Sequence, residues 1–128
     1  MQLMGDQNDV YVVLSMSNNW KNKTSTLWDA GADASWVIDP FDQDWTKIAT
    51  LDDLENDNLT IEVYDDNKLS AHVIIGTRKV ALAAVVALWK HDPQSTLDSE
   101  VEIYDEKGVV TGNVKITFSM SIAEPQKS

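Results

Sequence analysis

The sequence predicts an all-β protein, an antiparallel β-sandwich of short strands. Three observations carry this. Several segments alternate apolar and polar residues with period two. Turn signals recur at short intervals between them. Only one stretch, Ala83–Lys90, departs from the pattern, with an alanine-rich run that does not alternate.

Val10–Met16 comes first and puts Val10, Val12, Leu14 and Met16 on one face. Thr24–Trp28 and Ser35–Ile38 are shorter strand candidates. In Leu59–Tyr64, Leu59, Ile61 and Val63 face one way while Thr60 and Glu62 face the other. Lys79–Leu82 is another short strand, and Ala83–Lys90 then reads as a surface helix that Pro93 stops. Val101–Tyr104 precedes the clearest case, Val114–Met120, where Val114, Ile116, Phe118 and Met120 alternate with Lys115, Thr117 and Ser119. Strict alternation belongs to antiparallel strands with one face on a core and one in water. Between the strands, Asp105-Glu-Lys-Gly108 reads as a tight turn ending on glycine, and Asn18-Asn19 and Ala30-Gly31 are similar signals. Leu51–Asn58 is acidic and reads as a solvated loop ahead of Leu59; it lacks the glycine an EF-hand loop needs. No internal repeat or linker interrupts the chain, so one domain is expected over residues 1–123, with a polar, flexible tail over 124–128.

Composition narrows the function classes. The 128 residues are 43% hydrophobic, enough to fill one core of that size. Lys and Arg total 10 against 21 for Asp and Glu, a net charge of -11. Phosphate affinity rests on clustered Lys and Arg, so nucleic-acid binding is not expected. A purely electrostatic grip on anionic lipid is disfavoured for the same reason. There is no cysteine, which excludes a disulfide scaffold, a thiolate metal site and a cysteine nucleophile. The start, MQLMGDQNDV, has no basic n-region and no apolar run. The longest low-polarity stretch, Val80–Trp89, is about half of what a membrane span requires. The expected location is therefore cytoplasmic or otherwise intracellular, not secreted, and the Asn-x-Thr sequons at Asn22 and Asn58 are chance matches. No Gly-x-Ser-x-Gly, phosphate loop or dinucleotide fingerprint occurs. His72 and His91 are isolated, without metal-ligand spacing. The chain is not expected to be an enzyme.

The segment Leu59–Gly76, LTIEVYDDNKLSAHVIIG, carries the most specific signal. An alternating apolar strand, then Tyr-Asp, a polar loop containing Ser, and a closing Ile-Gly resemble the signature of the C2 domain. That family is the calcium- and phospholipid-binding β-sandwich of synaptotagmins and protein kinase C. Asp9-Val-Tyr-Val-Val-Leu14 is similar to the family's Asp-Pro-Tyr-Val strand opening, with Val10 in place of proline. Trp36 falls near the family's Asn-Pro-x-Trp position, without the Asn-Pro. Glu102–Ser121 is similar to its last hairpin. The resemblance runs from about Asp9 to Ser121 and is weakest between Val37 and Asp57. It implies eight strands where seven are visible. The first is missing or stunted, and three explanations stay open: a truncated chain, a stunted strand at Met1–Met4, or a strand supplied by a partner or second copy. The open edge is expected beside Val10–Met16.

The resemblance also implies where calcium would bind. The family supplies five aspartates on two loops, because calcium takes six to eight oxygens, largely carboxylate. Asp9 matches one first-loop position, and its companion falls on Leu3. In the third loop Asp65 matches the first aspartate, Asn67 the second and Val73 the last, while Ser70 matches a frequent oxygen donor. Two of five aspartates remain, and neighbouring Asp66 should point away from Asp65. Asp9, Asp65, Asn67 and Ser70 thus form a weak or vestigial calcium set. The competing reading is that Asp9 and Asp65 fix loop geometry by side-chain-to-backbone hydrogen bonds. The family's lysine-rich, phosphoinositide-binding face is reduced here to Trp20-Lys-Asn-Lys23, and the matching later strand, Trp36–Trp45, carries Asp39, Asp42 and Asp44.

Five tryptophans in one small domain is a high count. Trp28 and Trp36 read as strand core and Trp89 as the pin that holds the helix. Trp20 and Trp45 sit in polar contexts and are the expected partner-contact residues. Leu69, Val73 and Ile74 are apolar and near the third loop. Leu69 and Val73 count as contact candidates, while Ile74 is expected to start a core strand ending at Gly76. The leading expectation is a non-catalytic module that docks on a protein partner as an accessory or scaffold subunit, with calcium switching lost or vestigial. The alternative is calcium-dependent phospholipid binding at a membrane surface, and the third is a lectin-like sugar-binding module.

Overall fold

The computed structural model describes residues 2–3, 9–17, 19–27, 35–37, 42–66 and 73–121. The strands are β1 (Gln2–Leu3), β2 (Val10–Ser15), β3 (Lys21–Lys23), β4 (Asn58–Asp65), β5 (Val73–Ala81), β6 (Leu97–Tyr104) and β7 (Val110–Phe118). Two helices join them, α1 (Leu51–Glu55) and α2 (Ala83–His91). Every strand pair is antiparallel, in the order β1-β7-β6-β5-β4-β2-β3.

The order divides into two ladders. β3-β2-β4-β5 is continuous, and so is β6-β7-β1, but the register between β5 and β6 is only Thr77 opposite Tyr104. A bulge accompanies each side of this junction. The β4–β5 register slips between Val63 and Tyr64, leaving Ile75 unpaired, and the β6–β7 register slips between Ile103 and Tyr104, leaving Thr111 unpaired. The two extra residues bond to each other, Thr111 Oγ1 donating to the Ile75 carbonyl at 3.1 Å. Bulges bend and twist their strands, and here they let one ladder fold back over the other. Gly76 sits at the crossing: a Cβ there would lie 2.5 Å from Thr111 Oγ1 and 3.3 Å from Ile103.

The alternating residues form the core. Val10, Val12, Leu59, Ile61 and Val63 from the first ladder meet Ile103 and Val114 from the second. Val10, Ile61, Val63 and Ile103 are wholly buried, each contributing about 1.5–3 kcal/mol of hydrophobic stabilisation. Leu82, Val85 and Trp89 close the end beside α2, and Trp89 Nε1 donates to the Ser95 carbonyl at 3.1 Å. Asp105–Gly108 is the expected turn. Asp105 Oδ1 accepts from the Lys107 and Val109 amides, and Gly108 takes φ +80°, a conformation glycine adopts without a Cβ penalty.

Several expectations need correction. The short strand at Lys79–Leu82 is the end of the longer β5, which continues past Gly76. Its Ile74 is 48% exposed rather than core, because the bulge turns Ile75 inward instead. Thr24–Trp28 is not a regular strand among the described residues. β3 lies earlier, and the extension holds by the Val10–Leu27 bridge. The described residues 35–37 of Ser35–Ile38 carry no strand, and the Trp36–Trp45 match ends in a 3-10 turn at Gln43–Trp45. Leu51–Asn58 is not simply a loop: α1 forms because Thr50 Oγ1 caps the Asp53 amide at 3.1 Å. Asp52 and Asp53 favour its N-terminal dipole, and Leu51 and Leu54 pack on the core. A strand at Gln2–Leu3, paired with Gly112–Asn113 of β7, stands in the first-strand position. The edge beside Val10–Met16 is therefore not open. β2 is flanked by β4 on one side and by β3 and Leu27 on the other.

Candidate functional site

The antiparallel register of β2 and β4 sets Val10 opposite Asp65, and so brings Asp9, Asp65 and Asp66 to one end of the first ladder. The Asp9 amide donates to Asp65 Oδ1 at 3.3 Å, and the Asp66 amide donates to the Asp9 carbonyl at 2.6 Å. Asp66 Oδ2 accepts from Thr26 Oγ1 at 2.8 Å, so the two neighbouring carboxylates diverge as expected. Leu27 joins the cluster through reciprocal backbone bonds with Val10 at 3.0 and 2.8 Å. Asp9 and Asp65 are thus brought together, and one Asp65 oxygen is engaged in holding the backbone. Val73, in the position where the resemblance calls for another ligand, is paired with Asp65 and 56% exposed. Asn67, Ser70 and Leu69 lie outside the described residues. Among the described residues no group of three or more His, Asp or Glu is arranged to hold a metal ion.

The same end carries apolar surface. The bulge contact between Thr111 and Ile75 brings the Asp105–Val109 hairpin alongside the start of β5. Val73, Ile74, Val109 and Val110 are all exposed there. The face of the first ladder turned away from the core is aromatic rather than polylysine. Tyr11 stacks on Tyr64 with centroids 5.2 Å apart, and Lys23 Nζ lies 5.5 Å from the Tyr11 ring centre. Burial pushes both phenols above their ordinary pKa. Asp66 and Glu62 add to this at Tyr11, and a hydrogen bond to Glu62 adds to it at Tyr64.

Two grooves flank β3. The first, of about 490 Å³, is walled by Trp20, Ile48 and Leu54, with Lys47, Asp53 and Asp57 around it. The second, of about 510 Å³, is walled by Leu27, Trp36, Val37 and Trp45, with Lys23 and Asp42 at its rim. The segment 42–49 between them runs beside β3 without forming a ladder. Asn22 Nδ2 donates to the Asp44 carbonyl at 2.7 Å, and Trp20 Nε1 to the Thr46 carbonyl at 3.3 Å. Trp20 and Trp45, the expected contact residues, therefore each wall a groove while remaining half-buried. Trp36 does likewise, its Nε1 donating to the Ser25 carbonyl at 2.8 Å. Ile48 stands 85% exposed above the first groove.

Asp57 anchors the first groove and was missed in the sequence. Its carboxylate accepts from the Ser17 hydroxyl at 2.7 Å, the Ser17 amide at 3.3 Å and the Asn58 amide at 2.8 Å. Burial works against its ionisation, but these bonds and nearby Lys47 outweigh it and hold the carboxyl below its ordinary pKa. Its spacing from Ser17 gave no local signal, since the contact spans forty residues of chain.

Comparison with known proteins matches the C2 domain family model over residues 2–97. Among solved structures, the chain is similar to a C2 domain, domain A, of plant extended synaptotagmin 1. The TM-score is 0.53 at 17% identity, covering 86% of this chain and 75% of that one, a likeness of fold. No curated protein matches the sequence. No helix among the described residues is long and apolar enough to cross a membrane.

Proposed function

The chain belongs to the C2 domain family, and on that premise we propose that it is a non-catalytic interaction module that docks on a protein partner through the flank of β3, with calcium switching lost or vestigial. C2 domains as a class are calcium/lipid or protein-interaction modules. The observation that carries it is the pair of tryptophan-walled grooves on either side of the segment 42–49. Tryptophan combines a large apolar face with one polar handle, which makes it a frequent interface anchor. In both Trp20 and Trp36 the handle is bonded within the chain, and the half-buried ring packs on the core while its remaining surface lines the groove. The first groove, with Asp53 and Asp57 against Lys47, is net acidic and favours a partner segment that brings a basic side chain, while Lys23 and Asp42 balance at the second.

The calcium end supports the same reading. Two aspartates and backbone carbonyls supply little charge for a doubly charged ion, and the Asp65–Asp9 amide bond gives that carboxylate a structural use. A second reading, calcium-dependent phospholipid binding, is favoured by the exposed Val73, Ile74, Val109 and Val110 beside those aspartates. Co-sedimentation with phosphatidylserine-containing liposomes separates the two. We expect the same small pelleted fraction with calcium and with chelator. Calcium-dependent pelleting that Asp65→Ala abolishes would establish the second reading instead.

A further inference from the structure

We propose that Tyr104 is a phosphorylation site for a tyrosine kinase that reads acidic surroundings, and that Tyr64, with nearly the same local sequence, is not. This goes beyond the docking reading and rests on different residues. Two of the three tyrosines sit in one pattern, Glu62-Val-Tyr64-Asp-Asp66 and Glu102-Ile-Tyr104-Asp-Glu106. Each has a glutamate two residues before the phenol, a branched apolar residue directly before it and two acids directly after. Kinases select an acceptor partly by charge pattern, and acid around the phenol suits a basic substrate cleft. The kinase brings ATP and magnesium. The Tyr104 oxygen attacks the γ-phosphorus of ATP, a new P–O bond forms as the bond to ADP breaks, and the phenol proton passes to the kinase's base.

The fold separates the two tyrosines. Tyr64 is held in register on both sides, by Tyr11 of β2 and Ile74 of β5, and its ring stacks on Tyr11 at 5.2 Å. Its hydroxyl donates to Glu62 at 3.0 Å in a partly buried bond. Tyr104 is the last residue of β6, beside the bulge at Ile103, and its pairing with Thr77 is the whole register between β6 and β5. Its hydroxyl donates to Glu102 at 3.1 Å on the surface, and the chain beyond it runs into the exposed turn at Glu106–Gly108. Segments tied by few pairs open locally at low cost. Lifting the tip from Tyr104 to Val110 leaves the wholly buried Ile103 in the core and offers the phenol together with exposed Glu102 and Glu106. The site also suits its product. The Arg78 guanidinium lies 5.3 Å from the Tyr104 ring centre and donates to the Glu102 carbonyl at 3.5 Å. A phosphate there carries a charge of about −1.5 to −2 at neutral pH, so it leaves Glu102 for Arg78, whose fork matches phosphate oxygens. Val110, the register partner of Tyr104, is exposed, so the phosphate sets charge at the apolar end of the sandwich.

The test incubates the whole folded chain with the catalytic domain of an acid-directed tyrosine kinase and magnesium ATP, and maps the phosphate by peptide mass spectrometry at early times. Tyr104 should be labelled faster than Tyr64 by about tenfold or more, the effect of its easier local opening. Tyr104→Phe, which removes only a surface hydroxyl, should abolish most of the incorporation, while Tyr64→Phe should leave it unchanged. Glu106→Lys, at an exposed turn position, should slow labelling about three- to tenfold. A folded chain with no label on Tyr104 overturns the inference, and so does Tyr64 labelled as fast as Tyr104. Labelling indifferent to Glu106→Lys overturns it as well, since the kinase would then not be reading the acid.

Discussion

The two ladders of this sandwich are finished to different degrees. In β3-β2-β4-β5 the inward residues Val10, Val12, Leu59, Ile61 and Val63 are buried, and the outer edge at β3 is covered by the segment 42–49 through Asn22 and Trp20. Among the described side chains of β6 and β7, only Ile103 and Val114 are buried, while Leu97, Val101, Ile116 and Phe118 are half-buried. Stability therefore concentrates in the first ladder and at the junction, while the second holds more apolar surface only half removed from water.

Substitutions on the two ladders should differ in cost accordingly. The largest loss is expected for Ile61→Ala, at about 4 kcal/mol in denaturant unfolding, because a wholly buried side chain leaves a cavity that the first ladder cannot collapse. Gly76→Val should cost about 2–3 kcal/mol, since the new side chain displaces Thr111 from its bond to Ile75 at the crossing of the ladders. Ile116→Ala, the same change on the second ladder, should cost about 1.5 kcal/mol, as part of its surface is already solvated. If Ile116→Ala proved as costly as Ile61→Ala, the contrast would fail. The smallest effect concerns pH. Asp57 has a lowered pKa in the fold, so its contribution is present above its unfolded pKa and is lost as pH falls through the lower folded value. Asp57→Asn should cost about 1 kcal/mol at neutral pH. The difference from wild type should vanish in acid, measured by thermal unfolding across a pH series.

Much of the fold was legible from alternation. Val10–Leu14, Leu59–Val63 and Val114–Phe118 face as their pattern requires, because period two leaves one assignment for each face. α2 was legible from its alanine-rich run and the proline beyond it. The bulges were not legible, since an extra residue at Ile75 or Thr111 is decided by how two ladders cross. α1 was readable in principle from Thr50 and Asp53 as a capping pair, but the acidity of the segment masked the Leu51 and Leu54 spacing. At the site, Asp9 and Asp65 were found through the resemblance, and antiparallel pairing brings them together. The grooves beside β3 could not be found, because each needs residues from distant segments. Trp20 and Trp45 were selected only as aromatic residues in polar surroundings. The edge of β2 was expected to be open but is covered by β3 and Leu27, because nothing local shows which strand lies beside which.

We propose that this C2 domain works without a calcium switch, and a calcium titration of the whole chain decides it. Backbone amide shifts at Asp9, Asp65, Asp66 and Val73 should show no saturable change in the micromolar range where sensor sites bind (roughly 10⁻⁷–10⁻⁵ M). Saturating shifts at all four in that range, removed by Asp65→Ala in a variant that still folds, would mean that the switch is intact.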